Sequence, residues 1–298
     1  MTGKRKSNSL WADAWRRLKK NRMAVICGST FIAVCVFCFL GPTLIELARG
    51  IDGVKPNADV GATAPSWAHW FGTDTLGRDM LVRTMVGGQI AITVGVIATA
   101  FALVIGVSWG AIAAYAGGKV DEVMMRIVDV LYGFPTIVFI IVVSAMLEGV
   151  IKSPMSKLFL LFALIGSISW LNMARIVRGQ VLSLRHREFV EAGRALGASS
   201  GRIVFKHIIP NTLGPVIVYA TLSIPSVMLT EAFLSFLGIG VQAPLASWGT
   251  LVTEGATQIA VYPWTLLWPG LTMSVTIFSL NFLGDGLRDA LDPQMRKD

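Results

Sequence analysis

Charge is scarce in this chain: Asp, Glu, Lys and Arg make up 15% of its 298 residues, against about 25% in ordinary soluble domains. With a mean hydropathy of +0.64, that scarcity excludes a water-soluble domain as the reading of most of the sequence. Histidine is scarcer still. His69, His186 and His207 lie in connections between apolar blocks, so neither a membrane-embedded Ser/His pair nor an HExxH-type metal site is available. Gly106-Val-Ser108-Trp-Gly110 has the letters of a hydrolase elbow but sits inside an apolar block, without the strand-turn-helix that motif needs. Gly238-Ile-Gly240-Val-Gln-Ala243 has the letters of a dinucleotide fingerprint but follows an apolar block, not a strand. A G-x-x-x-x-G-K-S/T phosphate loop is lacking, which excludes ATP hydrolysis by that route. No catalytic residue, metal ligand or cofactor of its own is expected. Cysteine is limited to Cys27, Cys35 and Cys38, all within the first apolar block, so the Cys35-x-x-Cys38 spacing reads as small membrane-embedded side chains.

What is abundant is apolar sequence in blocks of roughly 20 residues, the length that crosses a hydrocarbon layer of about 30 Å. Continuous blocks rich in Ala, Gly, Leu, Ile and Val read as helices rather than barrel strands. The expectation is an all-α membrane protein with about six transmembrane helices, at residues 23–44, 89–116, 123–147, 158–173, 213–237 and 264–283. The parts are an N-terminus at 1–22, a first span at 23–44, an external connection at 45–88, a core at 89–284 containing a loop at 174–212, and a C-terminus at 285–298. Six spans put both termini on one side. That side holds eight Lys and Arg in the N-terminal segment, two in the second-to-third connection counting Arg126 at the start of the third span, seven in the 174–212 loop and three at the C-terminus, against four, two and none opposite. Positive segments resist translocation, so both termini and the basic loop are expected in the cytoplasm. The net charge of +8 is thereby a topology signal, and nucleic acid is not an expected partner.

Leu10, Trp11, Ala14, Trp15 and Leu18 recur at helical spacing with Arg16, Arg17, Lys19 and Lys20 around them. This describes an amphipathic helix lying on membrane lipid at the inner interface, or a docking helix. Ala91, Gly95, Ala98, Ala102, Gly106 and Gly110 form a stripe of small residues that lets a neighbouring helix approach. Pro135, Pro225 and Pro269 each favour a bend in a span. Arg126 and Asp129, three residues apart, are expected to pair as a structural ion pair. Glu231, about 27 Å along the fifth span by helical rise, is expected to emerge near the outer face, lining a substrate path or simply solvated.

The 174–212 loop contains a short amphipathic segment at 188–196, with Phe189, Ala192, Gly193 and Leu196 on one side and Gly197 placed to end it in the left-handed region. Ser199 or Ser200 is placed to cap a second short helix, and Pro210 marks the turn into the fifth span. Two short helices of this kind form a knob for a groove on another protein, or a plain surface hairpin. The segment resembles the E-A-A-x3-G-x9-I-x-L-P signature of permease subunits of bacterial ATP-binding-cassette importers. Glu191, Ala192, Gly197 and Pro210 match, while Gly193, His207 and Ile209 replace the third, isoleucine and leucine positions. Phe71-Gly-Thr-Asp74-Thr-Leu-Gly77-Arg78-Asp79, Met173-Ala-Arg175-Ile-Val-Arg178-Gly179-Gln180, Phe233-Leu-Ser-Phe-Leu-Gly238-Ile-Gly240 and Gly284-Asp285-Gly-Leu-Arg288-Asp289-Ala-Leu-Asp292-Pro293 extend the likeness to C-type permeases of oligopeptide and dipeptide importers. That resemblance implies a multi-pass subunit of the bacterial inner membrane and alternating access as its mechanism. It implies a B-type permease partner, two cytoplasmic ATPase subunits carrying ATP and Mg, and an extracytoplasmic peptide-binding protein. It places Glu188, Phe189, Glu191, Ala192, Gly193, Leu196, Gly197 and Pro210 in the coupling helix that docks on the ATPase. Related importers carry nickel or glutathione, and the 72–79 segment is expected either to contact the binding protein or to lock the second span. A gradient-driven carrier is disfavoured by the lack of evident internal repeats and membrane-centre carboxylates.

Overall fold

The computed structural model describes residues 10–53 and 55–291. The first nine residues, the last seven, among them Asp292-Pro293, and Val54 lie outside that range. Among the described residues every regular element is a helix, apart from one antiparallel bridge between Thr73 and Asp79. In order these are α1 (Leu10–Lys20), α2 (Arg22–Arg49), α3 (Met80–Ala116), α4 (Gly118–Gly133), α5 (Thr136–Glu148), α6 (Pro154–Leu184), α7 (Glu188–Ala195), α8 (Ser200–Arg202), α9 (Ile209–Phe236), α10 (Trp248–Gln258) and α11 (Trp264–Leu291). Among the described residues five helices are long and apolar enough to cross a membrane: α2, α3, α6, the continuous helix over 200–236 and α11. α4 and α5, which meet at a 78° bend, together pass the same test and count as a sixth where the pair is one broken span.

Local chemistry explains these limits. Asn21 accepts a hydrogen bond from Ala24 N and starts α2, and Gly50, at φ +65°, ends it. Asp79 accepts from the N–H groups of Leu81 and Val82 and so begins α3 nine residues ahead of the expected 89. The extra turns carry Arg83, whose charge reads as a connection although it is buried inside the fold. The bend expected at Pro135 is present: Phe134 leaves the helical region and α5 restarts behind the proline. Pro225 and Pro269 lie within uninterrupted helices, as do Pro42 and Pro215. Packing from neighbouring helices supports those turns.

α3 is the axis of the bundle. Its six small residues are all buried. A side chain at Gly110 or Gly106 would run into α6 at Ala174 or at Met173 and Trp170, and one at Gly95 would meet Ile224 and Met228 of α9. Small residues here bring backbones together where no hydrophobic drive separates lipid from helix. Gly110→Leu is therefore expected to force α6 off α3 and to lower stability by at least about 1–3 kcal/mol, the usual cost of overpacking. Gly270→Leu in α11, where an added Cβ meets nothing within 4 Å, is the comparison. Thermal unfolding of both variants checks this, and equal midpoints would contradict it.

The two ends of the bundle differ in charge. α1, the C-terminal ends of α3, α6 and α11 and the N-terminal end of α9 share a basic end, while the 50–79 segment and α10 sit at the other. α1 is amphipathic as expected, with Arg16 paired to Asp13 and Lys19 over the Trp15 ring.

Candidate functional site

At the basic end, α6 hands the chain to a compact knob. α7 ends at Leu196 with Gly197 at φ +77°. Gly197 N donates to Arg194 O and Ala198 N to Gly193 O, so a glycine closes the helix where other residues would be strained. Ser199 accepts from Arg202 N and caps the next turn. Beyond it, Ile203–Ile208 form a π-helix in which Ile209 N reaches back to Val204 O. The expected turn at Pro210 is absent, because the widened helix runs straight into α9 with Pro210 in its first turn.

The knob is fixed from within. Val190, Ile203, Val204 and Ile208 are buried against Ala111 and Ala114 of α3, Val177 and Val181 of α6 and Val216 of α9. Complete burial of such side chains stabilises by about 1.5–3 kcal/mol each. Arg185 donates to Ala114 O, and the Arg194 guanidinium lies over the Tyr115 ring at the end of α3. Outside, Glu188, Phe189, Glu191, Ala192 and Leu196 are exposed, Leu196 at 87%, while Gly193 is half-buried beside Ile203. The sequence pattern picked out the exposed face and missed Val190, the one fully buried residue of α7.

Asp129 does not pair within its own helix. Arg175 Nη2 donates to Asp129 Oδ1 at 2.8 Å and lies over the Tyr132 ring, while Arg126 is exposed. The expected Arg126–Asp129 pair is thus replaced by a bridge from α4 to α6, because the turn facing α6 offers a guanidinium already held by an aromatic face. A second bridge joins the same helices, where Arg178 grips Asp121 through Nε and Nη2 at 2.6 and 2.7 Å.

Glu231 does not reach solvent. Its side chain is 1% exposed and Oε1 accepts from Ser235 and Ser247 hydroxyls, each at 2.7 Å. Ser247 also caps α10 in a reciprocal pair with Thr250. Glu231 ties α10 to α9 and lies off any solvated path in this conformation. α10 was not foreseen, although Ser247-x-x-Thr250 is a cap signal.

At the far end, the 72–79 segment is a knot. Asp74 Oδ1 accepts from Leu76 N and Arg78 N, and Oδ2 accepts from Arg78 Nε and Arg83 Nη1. Arg83 reaches Glu254 of α10, and His69 Nδ1 lies 2.8 Å from Asp79 Oδ2. Trp264 Nε1 donates to Thr73 O, and Phe71 stacks on Trp268. These bonds lock the start of α3 to α10 and α11.

The family model described as binding-protein-dependent transport system inner membrane component matches residues 102–297. That described as N-terminal TM domain of oligopeptide transport permease C matches 9–50. The chain is similar to the oligopeptide transport system permease protein OppC of Bacillus subtilis, 44% identical over 98% of this chain and 92% of that one. It is 46% identical to OppC of Escherichia coli K12 over 97% and 92%. The dipeptide transport system permease protein DppC of Bacillus subtilis is 42% identical over 99% and 89%. Among solved structures, an inward-facing MetNI methionine ABC transporter shares the fold, with a TM-score of 0.54 and 19% identity over 72% of this chain and 96% of that one. With an apolar bundle of five to six membrane-length helices, a capped knob between α6 and α9 and relatives of this identity over nearly its whole length, the chain belongs to the family of binding-protein-dependent transport system inner membrane components.

Proposed function

We propose that this chain is one of two permease subunits of an ATP-driven importer and forms half of the passage for peptides. The observation that carries the reading is the knob: its apolar tip, Leu196 and Phe189, is bare, while its base is seated on α3, α6 and α9. A push on the tip moves three membrane helices together. The basic end is the cytoplasmic end, the knob docks on one of two ATPase subunits that carry ATP and Mg, and this chain holds no cofactor. A B-type permease completes the passage, and an extracytoplasmic binding protein delivers substrate at the far end. The peptide assignment is supported by the oligopeptide and dipeptide permeases to which the chain is 42–46% identical.

The mechanism is alternating access. ATP-driven closure of the ATPase pair carries α7 with it and biases the bundle toward one facing, which requires that docking favour one conformation by a free-energy difference. Vesicles containing the reconstituted complex are expected to take up a mixed peptide library only with ATP inside, and to leave nickel and glutathione outside. Uptake by the isolated subunit, or ATP-dependent uptake of either of those solutes in place of peptides, contradicts the proposal.

A further inference from the structure

The outward faces of the bundle are not alike. α2 and α11 present Ile32, Val36, Phe39, Leu271 and Phe278, side chains at ease in lipid. The face made by α4, α6 and α9 carries charge. Asp129 and Arg175 are 56% and 36% exposed, and Tyr132 beside them is 50% exposed. The Tyr219 phenol lies beside the Asn172 carboxamide, and Asn172 is itself exposed.

Helical rise puts these groups at one level. Asp129 follows the start of α4 by 11 residues, Tyr219 that of α9 by 10, and Asn172 and Arg175 precede the end of α6 by 12 and 9. Counted along their helices, all lie roughly 14–18 Å from the basic end, and the Asp129–Arg175 contact holds α4 and α6 in register. On α9 the exposed Ser226 continues the stripe to about 25 Å. Exposed charge facing hydrocarbon costs several kcal/mol, so such a face is turned to a cavity or to protein.

We propose that Asp129, Tyr132, Asn172, Arg175, Tyr219 and Ser226 form this subunit's wall of a water-filled passage, and that the wall handles the peptide main chain. The inference rests on the peptide-importer reading. One guanidinium and one carboxylate, neutral as a pair, flanked by a carboxamide and hydroxyls, offer donors and acceptors to backbone amides and to both charged termini. They read nothing specific to a side chain, which suits peptides of varied sequence. These six residues include no histidine or cysteine, so the wall has no soft ligand for a bare metal cation.

The test is cysteine labelling in the intact complex, with and without ATP. Asn172→Cys and Ser226→Cys are exposed positions expected to fold normally, and the parent chain with its three cysteines on α2 sets the background. Both are expected to react with a small charged methanethiosulfonate at least tenfold faster than Val36→Cys on the apolar face, and a saturating peptide library is expected to slow them several-fold. Rates as slow as Val36→Cys overturn the wall, because the face is then covered by lipid or by the second permease. Fast labelling that peptide leaves unchanged overturns the main-chain role. Uptake by the parent complex in the same vesicles separates the two layers: a transporting parent with unreactive cysteines fails the wall alone, and a parent that takes up no peptide fails the ligand assignment together with the functional reading.

Discussion

Asp74→Ala is expected to remove about 3–5 kcal/mol from the far end of the bundle, the cost of leaving a buried charge without its partner. Asp74 is the hub of that end: its two oxygens accept four hydrogen bonds, two from backbone and two from arginines. Arg83 is only 6% exposed, and without Asp74 its remaining partner is the half-exposed Glu254. α3, α10 and the 72–79 segment should therefore loosen together. Asp74→Asn keeps the shape and an oxygen that accepts from the Leu76 and Arg78 N–H groups, and is expected to fall between parent and alanine. Lys55→Ala is the contrast, since Lys55 is 83% exposed opposite Asp52 and such pairs contribute about 0–1 kcal/mol. Thermal or denaturant unfolding of the purified protein should rank the three in that order. A parental midpoint for Asp74→Ala would contradict the buried network.

Leu196→Asp is expected to leave folding intact and to stop transport. The residue is 87% exposed, so nothing within the chain depends on it. Seating a leucine in a partner's cleft contributes about 2 kcal/mol, roughly thirty-fold in docking affinity, and a buried aspartate adds its desolvation cost. ATP-dependent uptake should drop by at least that factor while the unfolding midpoint stays put. Gly197→Val reaches the same end differently. At φ +77° a branched residue strains the turn by about 1–2 kcal/mol, tilting α7 without filling any space, since a Cβ there meets nothing within 4 Å. Parental uptake by both variants would remove the knob from the mechanism.

Local signals in the sequence were enough for the crossings and for the knob. The apolar blocks fall within α2, α3, the α4–α5 pair, α6 and α11 and, but for Leu237 at its end, α9, and Gly197 and Ser199 act as terminators and caps because those roles depend on neighbours a few residues away. What stayed hidden depends on distant partners. Asp74 and Arg83 look like a wet connection because charge in a sequence reads as solvent, yet they are buried in each other's company. Asp129 finds Arg175, 46 residues away, in preference to Arg126 one turn off. Counting along the helix puts Glu231 near solvent, and such a count is blind to the α10 cap that covers it. The helix limits move outward for a related reason: hydropathy marks where lipid begins and ends, whereas hydrogen bonding carries α3 past its N-terminal edge and α6 past both.

Force entry through the knob is tested most directly by crosslinking Leu196→Cys in the assembled, transporting complex to cysteines introduced along the cleft of the ATP-hydrolysing subunit. The expected result is a single crosslinked pair of this chain with that subunit, formed at high yield and abolishing uptake until reduced. A complex that transports peptide while Leu196→Cys crosslinks to no ATP-hydrolysing subunit, or reacts with an impermeant reagent from the outer side, would contradict it.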